Sequence, residues 1–598
     1  MAKPYTVAII QARMGSSRFP RKVLADLAGK PVIWHLLRRI SRCVEVDEIV
    51  VATSNLPADD DLASYVEAEG FRVVRGSELN VLERLHKAAQ EAGAEVIVRV
   101  TGDAPLVDPV SLDALVASMV AAGADFCVST PDQPNINEGF EAFTMAALTK
   151  LKLEAPEDPV AREHTCTYFK IHPGFVKVLF LPVPEELQFR GSRVSVDTPP
   201  DLDFLNMLHA RLGAASGDLD IRAVVQLLRS EPELTRINAD VRQKAANAKS
   251  RTAMIRCDAS SETGLGHLVR CLALAEVLRD ERGFGVTFVT RPSAVCTRMI
   301  AEHHHRHEMV GDSPESWRQL ESLIVRAKPD VLVLDVRDGA SRETLKGIRE
   351  RTGVLLVGID DPEEKRLECD LLFYPPVPQL ERMDWGSLRG RKFAGWDWVL
   401  LRRQFHAVHE QRIVHTASDG SQPLVLLITM GGSDPAGMTL KAVRALQNVA
   451  ASFHAVFVLG GSFCHQEAFE MEISKARYSF EIRRDVAEMG ELMGRADLAL
   501  ACFSVTAYEL ATVGVPGVYL ALTDDHYESS KAFVLAGIGI SLGQYEQVSE
   551  DQIADALTDI LIDKPRRLSM SEAALATTDG LGARRMTDMI NQTLQTRP

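Results

Sequence analysis

Short β-branched runs recur along the whole chain, separated by longer amphipathic stretches, and this alternation limits the fold more than any other feature. The runs include TVAII (6–10), DEIVVAT (47–53), VIVRV (96–100) and VLVLDV (331–336). Between them lie stretches such as PVIWHLLRRISRC (31–43) and VLERLHKAAQEAG (81–93). Near-continuous apolar strands are buried on both faces, and strands alternating with helices build parallel α/β sheets. Ligands of such sheets bind beyond the carboxyl ends of the strands. Functional groups are therefore to be sought in the residues that follow each strand.

A chain of 598 residues has room for three or four folding units. Two polar seams divide it. QKAANAKSR (243–251) has no periodic apolar face and precedes a fresh strand, TAMIRC (252–257); HTASDGSQP (415–423) precedes LVLLITM (424–430). The expected units are 1–243, a linker at 244–250, and two α/β lobes at 251–415 and 422–598. The last carries a terminal helix near 581–595 that is able to pack back on the first lobe.

Composition removes several classes of function. The net charge is −15, from 67 basic and 82 acidic residues, which argues against a general basic surface for nucleic acid. The nine cysteines contain no C-x-x-C pair, against both a zinc ribbon and a secreted disulfide scaffold. The apolar run in MAKPYTVAIIQARMG is too short for a signal peptide, and no stretch reaches membrane-spanning length. The expectation is a soluble protein of a reducing, cytoplasmic setting, with neither nucleic acid nor membrane as partner. HHHRH (303–307) reads as a solvated face in preference to a metal cluster, since adjacent side chains point in different directions.

The segment TVAIIQARMGSSRFPRKVL (6–24) runs from a strand into a loop. There Gly15 and Ser16 free backbone amides, and Arg13, Arg18, Arg21 and Lys22 supply positive charge. Such a loop suits a triphosphate, and it also reads as a basic surface loop. Asp103, in VIVRVTGDAPLVD, sits just past a strand end. Asp197, in RVSVDTPPDLDFL, follows another expected strand and precedes a proline-led helix. Taken singly, each fits a helix cap or a Mg2+ ligand. Together with the loop they supply the parts for nucleotidyl transfer. Cations hold phosphates, and a metal neutralises charge on the α-phosphate and the leaving pyrophosphate.

These segments, with GKP (29–31) and REHT (162–165), resemble the spore-coat-polysaccharide cytidylyltransferase family, relatives of the enzymes that make CMP-activated sialic and 3-deoxy-octulosonic acids. The resemblance spans about 1–240. It implies a GT-A-like, Rossmann-like nucleotidyltransferase fold, CTP as donor and an acidic sugar as acceptor. It places Arg13, Arg18 and Lys22 on phosphates, Asp103 and Asp197 on Mg2+, and Arg162, Glu163 and His164 beside the acceptor. Lys22 and the two aspartates would then serve the chemical step. Arg21 stands where many relatives have glycine, Asn80 where a loop aspartate is usual, and EGFEAF (138–143) is shorter than its counterpart.

The second unit opens with AMIRCD (253–258) and ASSETGLGHLVRCLALAEVLRD (259–280). Gly264 and Gly266 bracket a turn, and His267 begins a helix. The dipole at a helix N-terminus favours a neutral imidazole, which suits a general base; a plain helix-capping histidine is the alternative. In LVLLITMGGSDP (424–435) a buried strand ends in Gly431, Gly432 and Ser433, a loop able to admit a phosphate. In ADLALACFSVTAYELATVGVPGVYL (496–520), Ser504, Val505 and Thr506 would offer amides and hydroxyls to a diphosphate at a helix start. Glu509, one turn on, reads as an acceptor for ribose hydroxyls or as a solvated helix residue.

These motifs resemble the UDP-sugar hydrolase of pseudaminic acid biosynthesis, a GT-B-fold relative of MurG-type glycosyltransferases, across about 251–575. The resemblance implies that water attacks the anomeric carbon of a UDP-linked 2,4-diacetamido-2,4,6-trideoxyhexose without metal. His267 would be the base, Asp258 and Arg270 with Gly266 would shape the sugar pocket, and Glu509 would hold the uridine ribose. TDDHYESSKAF (523–533), with His526 expected at the sugar, departs from that family.

The whole chain thus reads as α/β, a GT-A-like domain followed by a two-lobed GT-B-like unit. The implied function is a bifunctional enzyme of CMP-nonulosonic acid biosynthesis, using CTP, UDP-sugar and acidic-sugar substrates. Mg2+ serves the first unit and no cofactor the second. The resemblance leaves room for a homo-oligomer and for association with the phosphoenolpyruvate-dependent synthase that must act between the two reactions. The alternative is a GT-B glycosyltransferase carrying a non-catalytic nucleotide-binding module.

Overall fold

The computed structural model describes residues 3–131, 133–172, 174–190, 192–213, 219–241, 251–259, 265–312, 315–414, 423–486 and 488–597. The expected linker at 244–250, most of the second seam, and Gly264 of the glycine turn lie outside them. The chain divides into two compact units, Met1–Ser250 with Arg279–Gly285, and Arg251–Leu278 with Val286–Pro598.

The first unit is built on a seven-stranded sheet, with a small antiparallel pair, Asp26–Leu27 and Lys30–Pro31, beside it. The strands of the sheet run, edge to edge, Arg72–Gly76, Glu48–Ser54, Thr6–Gln11, Val96–Thr101, Phe140–Thr144, Phe126–Ser129 and Val178–Leu181. Only Phe140–Thr144 is antiparallel to its neighbours. The sequence logic shows in the central strand. Val7 and Ile9 enter the core on one face, Ala8 and Ile10 the core on the other, as a two-residue side-chain period demands when helices cover both sides.

The second unit holds two further sheets. One is seven-stranded, in the order Arg306–Met309, Gly285–Thr290, Thr252–Cys257, Val331–Asp335, Leu355–Ile359, Leu371–Tyr374 and Arg391–Ala394. The other is six-stranded and parallel throughout, in the order Ser479–Arg484, Phe453–Leu459, Leu424–Thr429, Leu498–Cys502, Gly517–Ala521 and Gly539–Gln544. The α/β class is the architecture of the chain: a domain built on a mostly parallel sheet, ahead of a unit built on two further sheets. Among the described residues, no helix is long and apolar enough to cross a membrane.

Three expectations need correction. The lobe boundary set at 415 falls too late. Val399, Leu401 and Phe405 pack into the core of the second lobe, and the helix Arg403–Val414 is fastened there. Arg412 donates to the carbonyls of Gly494 and Ala496, and the His409 ring bonds the Thr512 carbonyl. The terminal helix Gly582–Thr596, though numbered with the second lobe, packs on the first lobe as the sequence reading expected: Arg391 reaches Thr593 and Arg597 pairs with Asp370 at 2.9 Å. Asp197 follows no strand: residues 192–197 run extended without a sheet partner, held instead by the Val196 amide donating to the Asp103 carbonyl. Finally, HHHRH is not one solvated face. It turns into the edge strand Arg306–Met309, so alternate residues face inward: His305 is buried against Phe288, His307 bonds Thr290, and His303 pairs with Glu276.

Candidate functional site

In the first unit, the strand Val96–Thr101 ends at Gly102, where a Cβ would lie 2.7 Å from that of Ala12. Only glycine permits this approach, and it brings Asp103 against the loop that follows Thr6–Gln11. Lys22 Nζ lies 2.5 Å from Asp103 Oδ2 and 2.9 Å from Asp197 Oδ1. Arg18 reaches the other oxygen of Asp197 at 2.9 Å, and Arg193 reaches it at 3.1 Å. Burial would raise the Asp197 carboxyl, but Lys22, Arg18 and Arg193 together hold it far below the carboxylate range. The pair passes a simple test as a cation site: one oxygen from each aspartate converges on a single positive charge.

The other expected residues are distributed around this centre. Arg13 donates to the Glu78 carbonyl, which Arg84 also reaches. Gly15 sits so that a Cβ would meet the Glu78 carboxylate at 3.2 Å. Ser16 Oγ accepts from the Phe19 amide and shapes the turn. Arg21 points outward to Asp61, and its φ of +63° is the left-handed conformation that glycine adopts without strain. Asn80 caps the helix Val81–Ala92 by accepting from the Glu83 amide, a task asparagine performs as well as aspartate. Arg162 pairs with Glu157 on its own segment, and His164 closes the short helix Pro159–Glu163. These contacts tie Arg162 and His164 locally, and Glu163 is the last residue of the same short helix.

Sequence reading missed a second polar group beside Asp103. Glu141 is buried between Arg99 (3.0 Å) and Lys170 (2.8 Å), and Arg99 also donates to Gln11. Burial would raise the Glu141 carboxyl, but Arg99 and then Lys170 outweigh it and hold it at about 2. A folded-state value below the unfolded one stabilises the protein above about pH 4 and loses that contribution as pH falls toward 2. Glu141→Gln leaves two cations without their carboxylate and is expected to cost roughly 3 kcal/mol at pH 7. Denaturant titrations should show this gap at neutral pH and its shrinkage below pH 4.

In the second unit, His267 stands at the second position of the helix Gly266–Arg282. Its Nδ1 lies 2.6 Å from Oδ1 of Asp335, the last residue of the strand Val331–Asp335. Arg270 grips the same carboxylate through Nε and Nη2, both at 2.6 Å, and reaches Asp360 at 3.1 Å. Burial would raise the Asp335 carboxyl; Arg270 and then His267 hold it well below its ordinary range. With Nδ1 engaged, Nε2 is the nitrogen left to take a proton. This aspartate–histidine pair was hidden in the sequence by the 68 positions between its members. Asp258, expected in the sugar pocket, is bound up instead by buried Arg256 and the Arg291 amide.

The two lobes meet at this helix start. A Cβ on Gly266 would touch the Val505 methyl at 3.5 Å. Ser504 caps the helix Val505–Thr512 by accepting from Thr506. Glu509 is no solvated residue: it is buried and pairs with Arg402 at 3.1 Å. Gly431 has φ +90°, and the Gly432 carbonyl lies where a Cβ on Gly460 would be, at 2.4 Å, so two glycine loops pack back to back. Ser433 accepts from the Cys464 amide. His526 is half-buried, with its Nδ1 atom enclosed and unbonded; burial lowers its proton affinity, Asp525 opposes this, and Arg337 of the first lobe adds to the lowering. Gln379 ties the lobes together by donating to Asp525 and Ser529.

A cation-rich loop closed on two converging aspartates, at the carboxyl ends of a mostly parallel sheet, is the site of a nucleotidyltransferase. Residues 7–224 match the family model described as Cytidylyltransferase. Over 230 residues the chain is 33% identical to the spore coat polysaccharide biosynthesis protein SpsF of Bacillus subtilis, spanning 94% of that protein and 38% of this chain. The chain belongs to this cytidylyltransferase family. Its remainder is similar to SpsG of the same organism, 27% identical over 343 residues, 96% of that protein and 56% of this chain. A solved structure of MurG from Acinetobacter baumannii is similar at 15% identity and a TM-score of 0.46, covering 57% of this chain and 99% of that one. The molecule is a cytidylyltransferase joined to an SpsG-like two-lobed unit.

Proposed function

We propose that the chain is a bifunctional enzyme supplying CMP-activated acidic sugars of the nonulosonic type. In the first unit the acceptor hydroxyl attacks the α-phosphorus of CTP, forming the sugar–CMP bond as pyrophosphate leaves. The observation that carries this reading is the convergence of Lys22, Arg18, Asp103 and Asp197. Arg18 and Lys22 hold phosphate oxygens, with Arg13, Gly15 and Ser16 lining the same loop. Asp103 and Asp197 would hold Mg2+, which supplies neutralisation of the charge that builds on the departing pyrophosphate.

In the second unit the reading rests on the His267–Asp335 pair opposite the Ser504–Thr506 turn. His267 Nε2 removes a proton from water as its oxygen attacks the anomeric carbon, and UDP leaves with the bonding electrons. Asp335 keeps the ring oriented and balances the imidazolium that forms. The 504–506 helix start and the 431–433 loop receive the diphosphate, and Glu509, held by Arg402, faces the ribose. Arg270 and His526 border the sugar; a UDP-2,4-diacetamido-2,4,6-trideoxyhexose is the proposed substrate. The test is a panel of UDP-sugars with water as sole acceptor, read by mass spectrometry. Free sugar and UDP are expected; UDP only when a second sugar is added would make the unit a glycosyltransferase.

Each side of residues 244–250 carries a complete set of these groups. Cutting the chain there is expected to give two fragments, each with its own activity. Assaying both against the intact chain at equal concentration decides the matter. Activity lost in a folded fragment and restored on mixing would mean a shared site.

A further inference from the structure

We propose that the Lys22 ammonium is the resident counter-ion of the Asp103–Asp197 pair and must leave before a divalent cation enters, so that cation and nucleotide bind as a coupled pair. The inference rests on the reading of these aspartates as cation ligands, and its basis is geometric. Nζ touches one oxygen of each aspartate, at 2.5 and 2.9 Å. Mg2+ takes carboxylate oxygens at about 2.0–2.1 Å, so an ion bridging those two oxygens would occupy the volume that the ammonium fills. Like charges that close repel strongly away from bulk water.

The neighbouring cations are placed differently. Arg18 and Arg193 both reach Oδ2 of Asp197, whereas Lys22 takes Oδ1. Arg193 is also anchored by Asp201 at 2.7 Å. These two can stay while Lys22 moves. The Lys22 backbone is fixed, opening a single turn, Lys22–Leu24, whose Val23 is buried. The side chain above it is 13% exposed, and its four-carbon stem has rotatable bonds by which the ammonium can be redirected. The triphosphate offers the ammonium a new set of anionic oxygens across the same loop. Lys22 then exchanges carboxylates for phosphates, and the released aspartates take the cation. Linkage makes the effect reciprocal: bound cation must favour nucleotide to the same degree.

Mn2+ is a suitable probe, followed by its EPR signal on the intact protein. Without nucleotide, wild type should bind Mn2+ weakly. Lys22→Met should bind it at least about tenfold more tightly, with a larger Mn2+-induced rise in melting temperature. Lys22→Arg, which keeps a cation in place, should stay at wild-type affinity. Adding Asp103→Asn to Lys22→Met should remove the gain. Lys22→Gln serves the same comparison should Lys22→Met fail to fold. Equal affinity in wild type and a folded uncharged variant overturns the counter-ion role, while loss of Mn2+ from CTP-loaded Asp103→Asn would leave the ligand reading standing. Unchanged Mn2+ binding by CTP-loaded Asp103→Asn and Asp197→Asn would sink that reading, and the proposal with it.

Discussion

His267→Asn is expected to lower UDP release from the UDP-sugar by two to four orders of magnitude, the usual worth of a positioned general base. UDP affinity should change little, because the proposed diphosphate and ribose contacts lie on the other lobe, at 431–433, 504–506 and Glu509. Asparagine can still donate to Asp335 but cannot take a proton from water. The measurement is single-turnover UDP release beside equilibrium UDP binding. A folded variant that hydrolyses at near wild-type rate would reduce His267 to a helix-opening residue. Asp335→Asn probes the partner. Acting through His267, it should change the pH dependence of turnover as well as its height, which a purely structural aspartate would not do.

Asp103→Asn and Asp197→Asn should each reduce pyrophosphate release from CTP roughly a thousandfold or more, since a hard cation needs anionic oxygens and its charge stabilisation acts at the bond-breaking step. The structure separates the two variants in another respect. Among the described residues Asp103 is ion-paired with Lys22, with Arg99 interacting less directly, whereas Asp197 is ion-paired with Lys22, Arg18 and Arg193. Asp197→Asn should therefore also lower the melting temperature of the first unit, and Asp103→Asn much less. UDP-sugar hydrolysis should survive in both. Cytidylyl transfer with unchanged Mg2+ dependence in either variant would count that aspartate as structural.

The fold was largely legible because strand alternation and burial obey the same period. TVAII and LVLLIT divide their side chains between two cores as the pattern requires. Asp103 lies just past the strand Val96–Thr101, and His267 lies in the first turn of the helix Gly266–Arg282, the positions in the fold that the sequence suggested. What escaped depends on pairing across long stretches of chain. Asp335 was in plain view at the end of VLVLD, but nothing local says that its partner is His267. Glu141, Arg99 and Lys170 come from three separate elements and look like ordinary charged residues in the sequence. Asp197 was expected to follow a strand because RVSV has strand composition, but among the described residues that segment makes a single backbone bond to Asp103 and no sheet ladder. Glu509 and Asp258 were noticed, but their salt bridges to Arg402 and Arg256 could not be read from spacing. The lobe boundary was misplaced because a polar seam in the sequence does not say on which lobe the helix before it packs.

The path of the chain through the second unit has a mechanical consequence. It leaves the first lobe near Trp396, whose ring packs on Tyr508 and Phe533, and comes back ahead of Gly582, which sits tightly against Val399. The chain therefore passes between the lobes twice. A cut at the first crossing would leave the second lobe covalently tied to the helix Gly582–Thr596 that packs on the first, while Gln379 bonds Asp525 and Ser529 from the other side. Cleavage of one connection is thus expected to loosen the lobes without freeing them.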